Sequence, residues 1–480
     1  MEKVAEAILP LTDEQINEIH LQYSLLNNSI LNEREYGENE YTARNRFQRD
    51  YSRILYSPSF RRLQGKMQII GIKSSAFYRN RLTHSLEVSQ IATSIARSLA
   101  ISCNRIQKMY TDDIYLIEAA ALAHDIGHPA FGHKGEQVLN ELAKKNGLHF
   151  EGNAQNFRVL RYLEKKEPGH KGLNLTPRTL LAINKYIIDE KKGTNKFMYS
   201  SDYNYLMTIR KKIHGLENRR TLDVQIIEIA DDIAYAVHDL EDGLSLRNFS
   251  IDEILFLLRN KSQEAYNLFI PIVKNAIKYS NNKEENVQNH SKLFRMSLTS
   301  QLTNIFINDI TIKEITKEEA KEHGTEIYKE LTLDKYKTLL KHLKKVVFEC
   351  TLRNNEVHLY EIKGEIILKS LFLIYTNIRT NKDGKLMPPD FRPDAKFDDI
   401  NNNKSKIKEY YKDLSQKAID YIAGMMDTFA IQEYEKLFNK SFSNINLTEI
   451  STINKLLEKN TPSIKHGFFE RVIDKFFNRI

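Results

Sequence analysis

The sequence predicts an all-α protein. Only 18 Gly and 10 Pro punctuate 480 residues, most windows carry apolar residues at helical spacing, and no internal repeat of fixed period is visible. Strands are expected to be minor. A chain of this length has apolar material for one large helical body or two closely joined lobes.

Taken in order, residues 1–60 form an N-terminal segment in which the polar stretch from Glu33 to Asn45 reads as a loop. "QIIGIKSSAFY", starting at Gln68, suits a short hairpin or an irregular connection. A helix should open near Arg81, because His84, Val88, Ile91, Ile95 and Leu99 share one face. His84 then points inward. A second helix is expected from about Asp113 to His124, with Ile117, Ala120, Ala121 and His124 on one side and Gly127 and Pro129 stopping it.

Residues 61–248 are expected to form a core, with an insertion over the site near 170–220, where periodicity is weak. The core's third helix runs from about Thr221 to Leu240, with Ile227, Ala230, Ala234 and Val237 as its apolar stripe and Asp231, Tyr235, Asp239 and Asp242 on an adjacent one. Gly243 should end it. The C-terminal region, 249–480, reads as mainly helical and packed on the core, with "SNNKEENVQNHSK" and "NNNKSKIKEYYK" as exposed loops.

Composition narrows the class. Two cysteines, Cys103 and Cys350, are too few for a disulfide framework and lack zinc-ligand spacing, so they read as buried packing residues in a reducing compartment. The N-terminus "MEKVAEAILPLTDEQ" lacks a basic region followed by an apolar run, and no later run approaches membrane-spanning length, which points to the cytoplasm. Formal charge is +8, from 71 basic and 63 acidic residues. That excess suits a charged surface or an anionic ligand such as a nucleotide better than it marks a nucleic-acid face.

The stretch "AHDIGHPAFGHKGE", Ala123 to Glu136, concentrates imidazoles and carboxylates. Taken singly, His84 has an ordinary explanation as a hydrogen-bonded core histidine, and Asp231 as a solvated helix residue. Together, His84, His124, Asp125 and Asp231 come from three helices, each on or beside a face that should be apolar. Burying them unpaired costs several kcal/mol each, which a shared divalent cation offsets. The donor set suits Mn, Fe, Co, Ni or Zn, and Mg less comfortably.

The order His, then His-Asp, then Asp, in "RLTHSLE", "AHDIGH" and "ADDIAY", resembles the HD-domain metal phosphohydrolases. Within them, "DYSRILYSPSFRRLQGKMQI", "HDIGHPAFGHKGE", "FEGNAQ", "GLNLT", "ADDIAYAVHDLEDG" and "DYIAGMMDTFA" resemble the deoxynucleoside triphosphate triphosphohydrolases, the bacterial dGTPase family, from about Arg46 to Ala430. The chain departs from that pattern at Gly65, Lys66 and Met67, where an acidic residue and a threonine are usual, at Ala130 for a common proline, and at Met426 for a common threonine.

The resemblance implies water attack on the α-phosphorus of dGTP, releasing deoxyguanosine and tripolyphosphate, with a divalent metal, Mn or Mg first, as cofactor. His84, His124, Asp125 and Asp231 are then the metal ligands. His133 would protonate the departing 5'-oxygen, with Glu136 one turn on to hold it charged. Arg81 and His128 are expected on phosphate oxygens, and Gln64 and Asp239 at the 3'-hydroxyl. Tyr235 would pack against the sugar and exclude a 2'-hydroxyl, and Glu361 would meet guanine donors. Relatives in the family form ring-like oligomers, so a homo-oligomer, a hexamer among the candidates, is expected, and single-stranded DNA is a candidate regulator.

Three alternatives stay open: a broad dNTP triphosphohydrolase, an HD phosphohydrolase of nucleoside monophosphates, cyclic dinucleotides or alarmones, and a DNA-binding or assembly protein with a structural metal. The last predicts salt-sensitive DNA binding that survives His124→Ala.

Overall fold

The computed structural model describes residues 9–37, 43–68, 79–103, 109–110, 113–165, 167–283, 286–400 and 403–459. Helices dominate, and the one sheet among these residues is an antiparallel ribbon of Ile310–Glu314 and Lys329–Leu333, with Ile312 opposite Leu331. The hairpin or connection expected after Gln68 lies outside the described residues. The described residues divide into two compact units, each assembled from three stretches: those within 1–61, 82–126 and 156–354 in the first, and those within 62–81, 127–155 and 355–480 in the second.

The first unit is organised around the helix Leu222–Ser245. Thr221 starts it, its hydroxyl accepting the Val224 N–H, and Asp223 adds favourable charge in the first turn. Ile226, Ala230, Ile233, Ala234 and Val237 are fully buried, a stripe wide enough for several neighbours. Lys337–Leu352, Val287–Ile307 and Pro177–Ile183 pack against it. The Arg81–Cys103 helix buries the expected face, with Val88, Ile95 and Leu99 removed from solvent.

Gly243 does not end the third helix, which continues to Ser245. The reason for glycine there is packing: a Cβ at 243 would lie 2.0 Å from Cζ of Phe249, so the ring occupies the space a side chain would need.

The second unit is built on Asn355–Thr376, which is buried almost continuously from Lys363 onward. Gly132–Lys145, Lys404–Ala423, Asp427–Phe438 and Glu449–Lys459 surround it, joining Leu139, Leu371, Leu414, Ile419 and Tyr434 in one apolar core.

Both polar patches expected as loops are corrected. Val287–Ile307 opens inside the first patch, with the Asn286 side chain accepting the Gln288 and Asn289 N–H groups. Lys404–Ala423 opens inside the second, where Asn403 caps the Ser405 and Lys406 N–H groups. Their first turns are exposed, as expected, but capping plus inward pairs one turn apart, Leu298 and Leu302 in the first and Tyr410 and Leu414 in the second, makes them helical. Cys103 and Cys350 are buried and free, as expected. Among the described residues, no helix is long and apolar enough to cross a membrane.

Candidate active site

Three of the expected ligands meet in the first unit. The ligand atoms of His84, His124 and Asp231 all lie within 4.8 Å of one another. His84 enters one turn into the Arg81–Cys103 helix, His124 follows the Ile114–Ala123 helix as its C-cap, and Asp231 sits mid-way along Leu222–Ser245. His84 Nε2 is 3.1 Å from Asp231 Oδ1, and His124 Nε2 is 3.5 Å from the same oxygen. Asp125 stands beside this trio, its Oδ1 3.7 Å from His124 Nε2.

The orientation of His124 is settled by its other nitrogen. Nδ1 lies 2.6 Å from the Ala121 carbonyl oxygen, which can only accept, so Nδ1 carries the proton and neutral His124 presents the Nε2 lone pair to the carboxylates. Asn156 holds the same residue's backbone by donating to the His124 carbonyl. Buried Nε2 has no aligned hydrogen-bond partner although two carboxylates face it.

The residues fit a divalent cation. Ligands at about 2.0–2.1 Å from a tetrahedral ion stand roughly 3.4 Å apart, close to the 3.1 and 3.5 Å observed. Without an ion, burial would depress the His124 imidazole, but Asp125 and Asp231 raise it to about 9. Burial likewise opposes ionisation of Asp231, and the two imidazoles overcome it, holding the carboxyl well below the usual range.

Tyr235 and Asp239 continue up the Asp231 helix, half-buried and buried respectively. The Tyr235 ring lies 6.5 Å from that of Phe348, with the Lys344 ammonium 5.6 Å over it.

The remaining candidates belong to the second unit. Gln64 is exposed in the turn Leu63–Gly65, and Arg81 is buried, its N–H donating to the Lys66 carbonyl. His128 is half-buried against Gly152, whose added Cβ would fall 2.8 Å from His128 Nε2. His133 is exposed in the first turn of Gly132–Lys145. Half-buried Glu136 accepts the Gly152 N–H at 3.1 Å. Gly152 therefore touches one candidate and tethers another. Glu361 is half-buried, and burial pushes its carboxyl up.

Sequence reading missed a charged cluster beside Asp231. Lys185 Nζ is 3.1 Å from Glu228 Oε1, and Arg220 pairs with both Glu228 and Glu330. Burial opposes the Glu228 charge, but Arg220 and Lys185 hold its carboxyl far below the usual range. The only sequence signal was a lysine interrupting the apolar run from Leu180 to Ile188.

Comparison with known families gives the class first. A family model described as HD domain matches residues 81–236, and one described as phosphohydrolase-associated domain matches 333–436, so the chain is an HD-domain phosphohydrolase. It is 39% identical to deoxyguanosinetriphosphate triphosphohydrolase-like protein 2 of Vibrio cholerae over 88% of this chain and 96% of that one. It is 33% identical to the deoxyguanosinetriphosphate triphosphohydrolase-like protein of Rickettsia bellii (86% and 96% covered) and 32% identical to that of Shewanella pealeana (86% and 97%). The chain belongs to the deoxyguanosinetriphosphate triphosphohydrolase-like family.

Proposed function

We propose that this protein is a cytoplasmic, metal-dependent triphosphohydrolase that converts dGTP to deoxyguanosine and tripolyphosphate. The observation that carries the reading is the convergence of His84, His124 and Asp231 from three elements, with His124 Nε2 turned toward carboxylates. The names of the relatives add the substrate class.

His84, His124, Asp125 and Asp231 would hold the cation, Mn or Mg first. Once bound, it supplies Lewis acidity at the α-phosphate and makes water a better nucleophile. Arg81 and His128 bind phosphate oxygens. His133 delivers a proton to the departing 5'-oxygen, and Glu136 keeps that imidazole charged. Gln64 and Asp239 bind the 3'-hydroxyl, Tyr235 excludes a 2'-hydroxyl, and Glu361 accepts from guanine. Broad dNTP hydrolysis is the second reading, since the half-buried Glu361 is the one group assigned to the base.

The test incubates the purified protein with each dNTP and Mn or Mg and resolves nucleoside, phosphate and tripolyphosphate. Tripolyphosphate with deoxyguanosine supports the proposal; equal turnover of four dNTPs selects the second reading. Release of orthophosphate alone, or no product, defeats both.

A further inference from the structure

We propose that Asp427, acting with Lys66 at the other end, is a positioning residue that holds the turn from His128 to His133 in the one backbone conformation that presents both imidazoles. The proposal rests on the reading of His128 and His133 as substrate-facing groups, and it concerns a buried carboxylate which that reading leaves without a role.

Asp427 is the first residue of Asp427–Phe438, yet no side chain caps that helix, and both Asp427 oxygens turn elsewhere. Oδ1 accepts the Phe131 N–H at 3.1 Å; Oδ2 accepts the Met67 N–H at 3.3 Å and the Tyr360 hydroxyl at 3.2 Å. Three stretches remote in sequence thus converge on one side chain that is fully removed from solvent. An acid merely suited to a helix start would need none of these partners.

The Phe131 amide is the informative one. Phe131 has φ 61° and ψ 30°, a left-handed conformation that residues with a side chain rarely adopt, and it immediately precedes Gly132–Lys145. A residue so placed stays there only if its surroundings hold it. Asp427 grips its N–H, while its ring fills the space left by Gly364, where a Cβ would lie 2.4 Å from Phe131 Cγ. Tyr360 closes the arrangement, with its ring 5.5 Å from that of Phe131 and its hydroxyl on Asp427.

Lys66 secures the other end of the turn. Its buried ammonium donates to the His128 carbonyl at 2.5 Å and to the Ala423 carbonyl at 3.0 Å. One buried cation therefore fixes the backbone at His128, one buried anion fixes it at Phe131, and His133 follows two residues later as the second residue of Gly132–Lys145. The motif "DYIAGMMDTFA" then acquires a purpose: it delivers Asp427 to the back of the histidine turn.

The experiment compares full-length Asp427→Asn, Asp427→Ala and Tyr360→Phe proteins with the parent by hydrogen exchange, Mn affinity and dNTP kinetics. In Asp427→Asn, amides of 128–136 should exchange about tenfold faster while those of Lys404–Ala423 keep their protection. Mn affinity should stay within about twofold, and kcat should fall about tenfold or more with KM within about threefold. Asp427→Ala should be worse than Asp427→Asn, which keeps one acceptor. Tyr360→Phe, which removes one donor and no packing, should show the same local pattern more weakly and covers the case of an aspartate variant that fails to fold. Unchanged exchange at 128–136, or a uniform rise across the unit, overturns the proposal. Should the parent protein hydrolyse no dNTP, the functional reading falls while the exchange data still decide this one.

Discussion

His84 and Asp231, 147 residues apart in sequence, meet with Nε2 and Oδ1 3.1 Å apart. Burial at this point penalises every charge, so the arrangement is stable only because imidazoles and carboxylates compensate one another or share an ion.

Removing the shared carboxylate should separate metal binding from folding. Asp231→Ala is expected to weaken Mn affinity at least about a hundredfold, because Asp231 Oδ1 faces both imidazoles. Isothermal titration gives the affinity and circular dichroism the fold. A variant that still binds Mn as the parent does would remove Asp231 from the ligand set.

Acid should unfold the first unit partly through Glu228. Its carboxyl is held below its ordinary 4.5 in the folded chain by Arg220 and Lys185, despite burial. A depressed carboxylate stabilises the fold above the unfolded value, and that stability is lost as pH falls. Thermal melts should therefore drop as pH goes below about 4.5, and Glu228→Gln should melt lower at neutral pH with a flatter acid dependence. Because removing one partner of a buried pair costs about 3–5 kcal/mol, a neutral-pH melt equal to the parent's would count against the cluster.

Gly65 and Met426 interlock. A Cβ at 65 would fall 2.6 Å from Met426 Sδ and 2.8 Å from its Cβ. Both lie where the sequence departs from the family pattern that it resembles, the first within the stretch Gly65, Lys66 and Met67 and the second at Met426. Gly65→Asp alone should destabilise by about 1–3 kcal/mol, and adding Met426→Thr should recover most of it. Denaturation of the two single variants and the double variant measures the coupling; simple additivity would show that the positions are independent.

Gly152→Ala should impair turnover without touching the metal ligands. The added methyl would press on His128 Nε2 at 2.8 Å, and Gly152 N–H is the donor that Glu136 accepts. A displacement of about 1 Å at a substrate-facing group can cost on the order of a hundredfold in rate. The expected result is a large fall in kcat/KM for dGTP at unchanged Mn affinity; full activity would take His128 and Glu136 out of the reaction.

Much of the candidate site was legible because its candidate ligands sit on, or at the end of, helices whose apolar pattern is strong. The spacing from His84 to Leu99 placed the histidine on the inward face, and the apolar run ending at "HD" placed His124 at a helix end. Gly243 was misread because a glycine looks the same whether it stops a helix or admits a neighbouring ring, and Phe249 supplies the difference. The helices opening at Val287 and Lys404 were misread because their exposed first turns carry the polar composition of loops.

By itself the sequence determined the helical class and the helix face or end on which each candidate ligand sits, since each depends on residues within a few turns of one another, and it carried the short motifs of the family. Tertiary structure alone decided that Lys185 meets Glu228 and that Asp427 grips the Phe131 amide. Local spacing encodes which face a side chain occupies, but burial of charge depends on partners tens to hundreds of residues away. Only the folded chain brings such partners within hydrogen-bonding distance.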